Sequence, residues 1–216
     1  MNAAGIQAKI NRGGAIAAKK LGQVCDQRRP WRAINPLGDE SRMGRIMAFF
    51  DPDFQFQAKK PNLYGKPVWG VLLDRGATRV GDYLYAPSGT YFLVGQQPLL
   101  PTAAVECNAV ITITRAAGDV LATEDVYSGR TDGSDVPIMQ GWPAAVLEGG
   151  RQEQSRAGLP GDAPMKGRQV FLPYWSGVII RTTDRITDTT TNVTMTVGSA
   201  ELTDLGWRLA CSLAEI

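Results

Sequence analysis

The chain of 216 residues contains no histidine. This absence excludes Ser-His-Asp and Cys-His catalysis, histidine-ligated zinc and proton transfer through imidazole. Cysteine is also scarce, because Cys25, Cys107 and Cys211 are widely separated and their odd number leaves at least one thiol unpaired. We therefore expect the chain to fold in a reducing compartment. Carboxylates, lysines, tyrosines and single thiols are the reactive groups that remain.

Long apolar runs and catalytic signatures are absent as well. No stretch reaches the roughly 18 apolar residues of a membrane-spanning helix, and the first thirty residues lack the apolar centre of a secretion signal. Phosphate-binding glycine loops and the motifs of zinc proteases and serine hydrolases are missing. We predict that the chain is not an enzyme and uses no cofactor or metal. A site built from distant carboxylates or a thiol is the enzymatic alternative.

The charge is unevenly distributed. Residues 1–32 carry seven basic side chains and one acidic, a net charge of +6, whereas the remainder carries 16 basic and 20 acidic, a net charge of −4. One interpretation is a solvated helix face with cations near its C-terminus. The other is a surface that binds an acidic partner or nucleic acid. The candidate partner-binding residues of this segment are Lys9, Arg12, Lys19, Lys20, Arg28, Arg29, Trp31 and Arg32.

Two stretches near the N-terminus have the spacing of amphipathic helices. Within residues 5–22, apolar residues recur at helical intervals, which predicts a helix that needs a partner surface. The segment DESRMGRIMAFF, residues 39–50, has a similar stripe and acidic residues at its start, which predicts a short second helix. We therefore assign residues 1–60 to a helical N-terminal arm. The stripe of the first helix consists of Ile6, Ile10, Ala17 and Leu21.

From Pro61 onward the pattern is that of β-strands. Two short strands flank Pro87-Ser88-Gly89, a combination typical of a hairpin, and residues 105–114 predict one further strand. Glycine and proline then recur without periodicity until the strand pattern returns. Beyond the arm, the sequence thus predicts a first β-unit over residues 61–115, a long loop or linker region over 116–168 and a second β-unit over 169–216.

The two β-units share the order of their features: an aromatic residue, a turn with aspartate, a hairpin and a final apolar strand. We therefore predict a mainly β fold of two small barrel-like or sandwich-like units related by duplication, with short N-terminal helices. The alternative is that any two antiparallel meanders look alike at this level. At an offset of 106 residues and then a slightly smaller one, the aligned pairs are Trp69 with Trp175, Arg79 with Arg185, Asp82 with Asp188, Val94-Gly95 with Val197-Gly198, and Cys107 with Cys211.

Two stretches of the chain resemble a known class of protein. KPNLYGKPVWGVLLDRGATRVGDYLYAPSGTYFLVGQQPLLP, residues 60–101, and GSAELTDLGWRLACSLAEI, residues 198–216, are similar to virion proteins of tailed bacteriophages from the neck, or head-to-tail connector, region. The resemblance extends over residues 5–115 and 170–216. It implies a structural protein without catalytic residues. Such a protein forms a homo-oligomeric ring around the DNA channel between portal and tail.

The resemblance also implies partners and a location. The neighbours would be a portal or adaptor protein and tail proteins, with non-specific contact to packaged DNA and no membrane. The protein would be found in the virion and, during assembly, in the host cytoplasm. The extended segment with Pro98, Leu99 and Leu100 is a further candidate contact, with packing inside its own chain as the alternative. The second class of function is a tail or tail-tip module that binds a receptor or carbohydrate through its tryptophans.

Overall fold

A computed structural model describes residues 3–52, 67–116, 135–149 and 167–213. In these ranges the chain is mainly β, with one α-helix, α1 (Ala3–Leu21), and twelve strands in two closed six-stranded barrels. The first barrel consists of β1 (Gln23–Arg28), β2 (Arg42–Asp51), β3 (Val68–Leu73), β4 (Tyr83–Ala86), β5 (Gly89–Gly95) and β6 (Thr102–Cys107). The second consists of β7 (Ala109–Ala116), β8 (Asp135–Glu148), β9 (Arg168–Leu172), β10 (Arg185–Asp188), β11 (Val193–Thr203) and β12 (Gly206–Leu213).

The two barrels have the same topology. Around the first barrel the strand order is β1-β2-β3-β6-β5-β4, and around the second it is β7-β8-β9-β12-β11-β10. Each strand of the first barrel therefore has its counterpart six strands later in the chain. The predicted pair of small barrel units is confirmed, and the shared strand order supports a duplication.

A buried ion pair marks equivalent positions in the barrels. Just after β1, Arg29 donates from Nε and Nη2 to the two carboxylate oxygens of Asp82, at 2.6 and 2.8 Å. Near the end of β7, Arg115 donates in the same way to Asp184, at 2.8 Å for both bonds. Each aspartate is 1% exposed and lies shortly before the fourth strand of its barrel. Each ion pair thus connects the end of the first strand of its barrel to the segment that leads into the fourth strand.

These ion pairs show that the alignment at an offset of 106 was wrong. Asp82 corresponds to Asp184, not to Asp188, and the backbone agrees. Leu93 N donates to Asp82 O and Val197 N donates to Asp184 O, both at 2.9 Å. The motif Arg-x-x-Asp occurs twice in succession, as RTTD and then RITD over residues 181–188, and both copies resemble the single RVGD of the first barrel. The sequence comparison selected the second copy, which lies inside a strand.

The register of the strands also rules out the remaining aligned pairs. A β-bulge interrupts β5 after Leu93 and β11 after Val197. The register partners of these two residues are Ala104 and Cys211, so Cys211 is the counterpart of Ala104 and not of Cys107. The same register separates the other aligned pairs, which are Val94-Gly95 with Val197-Gly198 and Trp69 with Trp175.

The second predicted helix is a strand. Residues 42–51 form β2, which pairs with β1 and β3. Ile46, Ala48 and Phe50 alternate along it and pack in the core of the first barrel. The run from Ile46 to Phe50 is apolar without interruption, so it fits both the helical and the strand period. Antiparallel pairing on both sides decides between them.

The barrels begin earlier than the predicted β-units. The first begins at Gln23, inside the predicted arm, and the second begins at Ala109, inside the predicted first unit. β8 occupies residues 135–148 of the predicted loop region. Its glycine and prolines predicted irregular structure, but β8 continues through two β-bulges opposite β7, which fall at Ile138, next to Pro137, and at Gly141. Residues 117–134 and 150–166 of the predicted loop lie outside the described residues.

A single residue joins the barrels. The predicted strand over residues 105–114 is in fact two strands, because β6 ends at Cys107 and β7 begins at Ala109. The side-chain amide of Asn108 makes two hydrogen bonds to the backbone of Val146. Its Oδ1 accepts from Val146 N at 2.7 Å, and its Nδ2 donates to Val146 O at 2.8 Å. These bonds replace a backbone pair where the chain leaves one barrel for the other.

The barrels also share a hydrophobic core. Tyr83 and Phe92, on the outer face of the first barrel, belong to the same buried cluster as Trp142 of β8. Tyr83 Oη donates to Pro143 O at 2.8 Å, and Trp142 Nε1 donates to Ala33 O at 2.7 Å. Five consecutive residues of β8, from Trp142 onward, are buried. Both faces of β8 are therefore covered, one by its own barrel and the other by its neighbour.

Helix α1 packs on β2 and β3. Small residues make this approach close. Ala18 is buried, and a Cβ on Gly14 would lie 3.3 Å from Leu73 O. At the end of the helix, a Cβ on Gly22 would lie 2.5 Å from Ala18 O and 2.6 Å from Ala48 O. Glycine is required at residue 22 because the chain passes between two backbone carbonyls before it enters β1.

The neighbouring glycines of α1 provide a test of this packing. Gly13→Ala should stabilise the protein by about 0.5–1 kcal/mol, because its new Cβ meets no atom within 4 Å and alanine favours the helix. Gly14→Ala should lose that gain, because its Cβ presses against Leu73 O. Thermal unfolding of both variants measures the difference. Equal stabilisation by both would show that α1 does not rest on β3.

Candidate functional site

Helix α1 packs on the barrel through small residues, and several of its large apolar residues lie at the edge of that contact. Ile6, Ile10 and Leu21 are 38%, 39% and 65% exposed. They share one side of the helix, because intervals of four and eleven residues are close to whole turns at about 100° per residue. We call this surface the isoleucine face. It contains three of the four residues of the predicted stripe, and the helix predicted within residues 5–22 is present as α1.

The four predicted cations of α1 are all exposed, and the helix contains no acidic residue. Lys19 and Lys20 lie in its last turn, where the helix dipole favours positive charge. Their place is explained by helix stability alone. Lys9 and Arg12 lie outside the last turn and gain nothing from the dipole. These two are therefore the stronger candidates for contact with a partner.

Two of the predicted contact residues have structural roles. The guanidinium of Arg29 is held by Asp82, and these hydrogen bonds raise its pKa above the ordinary value. Arg28 lies over the ring of Tyr85, 5.4 Å from its centroid, and its Nη1 donates to Leu37 O. Both arginines were predicted to contact a partner. In the fold, both guanidinium groups bind groups of their own chain.

Trp31 and Arg32 form the cation–aromatic pair that remains at the surface. Trp31 is 51% exposed, and the guanidinium of Arg32 lies 4.7 Å from the centroid of its ring. Arg32 Nε also donates to Asn35 O at 3.3 Å. A cation over an exposed indole is a surface that suits stacking or phosphate contact.

The predicted extended segment at Pro98 is a turn that packs against α1. Leu99 has a positive φ of 64°, and its N–H donates to Gln7 Oε1 at 2.6 Å. Arg75 holds the other side, because its guanidinium donates to Leu100 O at 3.2 Å. Leu99 and Leu100 remain 45% and 52% exposed. The turn therefore extends the apolar surface of the N-terminal half of α1.

The remaining tryptophans are largely parts of the core. Trp142 and Trp207 are buried, and Trp175 packs 5.8 Å from the ring of Trp142. Trp69 is half-buried, and its Nε1 donates to Glu106 Oε2 at 2.9 Å. Stacking platforms for a carbohydrate require exposed ring faces, so among the tryptophans this function would depend on Trp31.

The thiols and the buried carboxylates are in protected settings. Burial raises the pKa of the Cys25 thiol to about 11, and burial, together with Glu106, raises the pKa of Cys107. A raised pKa lowers the thiolate fraction near neutral pH, which is the reverse of what a nucleophilic cysteine needs. Asp188 is occupied as well, because its oxygens accept from the backbone N–H of Thr190 and from Thr191 Oγ1.

Among the described residues, no group of three or more His, Cys, Asp or Glu side chains is arranged to hold a metal ion. In the same ranges, no helix combines the length and apolarity needed to cross a membrane.

Comparisons with protein-family models, curated proteins and solved structures gave no significant match to this chain. The resemblance to neck proteins of tailed phages therefore stays a prediction.

Sequence reasoning missed two features of the surface and the core. The Arg115–Asp184 ion pair could have been found from the motif Arg-x-x-Asp, had its first copy been aligned. The β11–β12 hairpin tip, with Glu201 and Asp204 beside exposed leucines, gave no signal, because short polar and apolar alternation is common in any strand.

Proposed function

We propose that this chain is a structural subunit that assembles with copies of itself and with neighbouring proteins. Its setting is a ring in the neck of a tailed bacteriophage, between portal and tail. The isoleucine face carries the proposal. α1 rests on its barrel through small residues and leaves large apolar ones exposed beside that contact, an arrangement typical of a surface that another protein covers. The resemblance of residues 60–101 and 198–216 supplies the setting.

The tandem barrels fit this role. A subunit of a closed ring must offer two different surfaces that are complementary to each other, because the same contact repeats around the axis. Two barrels of one topology, joined by a shared core, offer such surfaces at fixed positions. The exposed cations of α1 and the Trp31–Arg32 pair suit weak contact with DNA backbone, which needs positive charge and no particular sequence.

The proposal predicts that Ile10→Glu prevents incorporation into phage particles. A carboxylate in the middle of the isoleucine face would be desolvated without a partner, so incorporation should fall at least about tenfold. The fold should be unchanged because the side chain is already partly in water. The measurement is the amount of the protein in purified particles, by quantitative mass spectrometry.

Ile16→Glu is the matched control. Ile16 is 48% exposed on the same helix but lies about 120° around it from Ile10. This variant should enter particles as the wild type does. Equal incorporation of both variants would remove the isoleucine face from the proposed role. Absence of the wild-type protein from the particles would overturn the proposal as a whole.

A further inference from the structure

The four cations of α1 lie on the side of the helix that faces away from the barrel. All are exposed, and at about 100° per residue they occupy a sector about 100° wide. Its centre lies about 170° around the helix from Gly14 and Ala18, which contact the barrel. We call this sector the cationic face; it consists of Lys9, Arg12, Lys19 and Lys20.

Most of the charge of the cationic face is not neutralised within the described chain. α1 contains no acidic residue, and in the described ranges no ion pair joins Arg12, Lys19 or Lys20 to a carboxylate. The helix dipole favours cations in the last turn, but it favours no particular side of the helix. The positive charge of these residues on one surface is therefore left for a partner.

The cationic face suits a phosphate backbone better than a protein or a membrane. Its one large apolar residue is Ile16, which is 48% exposed. Protein interfaces are depleted of lysine at their centre, and a helix that binds a lipid surface needs a broad apolar side. A phosphate backbone needs positive charge alone, and duplex DNA carries one charge per about 1.7 Å. Lys9 and Lys20 lie about 16 Å apart along the helix axis, so all four cations can reach one duplex.

We infer that the cationic face of α1 binds the phosphate backbone of duplex DNA. The isoleucine face lies on another side of the same helix, so α1 has one surface for protein and a separate one for DNA. In the proposed ring, the cationic face is the surface that is turned toward the channel. The inference rests on the proposed function and names the part of the subunit that contacts DNA.

Ile16→Glu tests the cationic face, and Ile10→Glu is the matched control. A glutamate at residue 16 lies four residues from both Arg12 and Lys20 and would pair with them, whereas residue 10 has no charged residue three or four positions away. Binding of the purified chain to a labelled duplex is measured by fluorescence anisotropy over a range of salt concentrations. Ile16→Glu should weaken binding about tenfold at about 50 mM salt, and the slope of log K against log salt should change from about −3.6 to about −2. Ile10→Glu adds the same charge and should bind as the wild type does.

Equal weakening by both variants would show that only the net charge matters and would overturn the inference. A wild-type chain that does not bind the duplex at low salt would overturn it as well. Polyglutamate that competes as well as unlabelled DNA would assign the surface to an acidic protein, which also overturns it. DNA binding by a protein absent from phage particles would support the inference and contradict the phage setting. Incorporation of a wild-type protein that does not bind DNA would do the reverse.

Discussion

Asp184→Asn should lower the free energy of unfolding by about 3 kcal/mol. Asp184 accepts from Arg115 Nε, Arg115 Nη2 and Arg181 N, each at 2.8 Å. An asparagine cannot satisfy all three donors, because whichever way its amide is turned, an N–H faces another N–H. The Arg115 side chain is only 13% exposed, so its charge would lose the Asp184 carboxylate in a poorly solvated place.

The first barrel offers a comparison. Asp82→Asn breaks the equivalent ion pair. The Arg29 side chain is 28% exposed, so water can solvate part of its charge, but Asp82 also accepts from the buried Gln27 Nε2 at 2.7 Å. These two differences oppose each other, so the cost should be similar, about 3 kcal/mol. Asp26→Asn, at the exposed bridges to Arg42 and Arg45, should cause no measurable change. Urea unfolding of the three variants gives the order, and a cost at Asp26 equal to that at Asp184 would contradict this account.

Trp142→Ala should lower the free energy of unfolding by about 4 kcal/mol. The indole is fully buried where the barrels meet, 6.4 Å from the ring of Tyr83. Its removal leaves a cavity between the barrels and takes from Ala33 O one of its two donors, which leaves Gln140 N at 3.0 Å. Both effects act on the interface, so the two barrels should also unfold less cooperatively.

Trp31→Ala is the control for the loss of an indole. Its ring is half in water, so the change should be within about 0.5 kcal/mol of the wild type. Calorimetry of both variants measures the stability and the number of transitions. A Trp142→Ala protein that unfolds in one transition with wild-type stability would show that the barrels do not depend on this contact.

The architecture could be predicted from the sequence where local signals agreed. The helix at the N-terminus, the hairpin at Pro87-Ser88 and the pair of barrels followed from periodicity and turn residues. Residues 42–51 could not be assigned, because their apolar run suits either period until neighbouring strands are known. β8 could not be assigned either, because the bulges at Ile138 and Gly141 that let it continue depend on its partner β7.

The candidate site was predictable only in part. The cations and apolar residues of α1 were visible from spacing, but the side of the helix that meets the barrel was not. Glycine and alanine decide that side through close backbone approach, and the large apolar residues mark only its edge. The ion pair between Arg29 and Asp82 joins residues 53 positions apart, so no local sequence pattern could have predicted it.

The connection through Asn108 leaves no slack between the barrels. One residue spans at most about 3.6 Å. The side-chain amide of Asn108 is also held by the backbone N–H and C=O of Val146. A tilt of either barrel must therefore carry the other with it. The two barrels should therefore move as one body, because neither the one-residue connection nor the shared core provides a hinge.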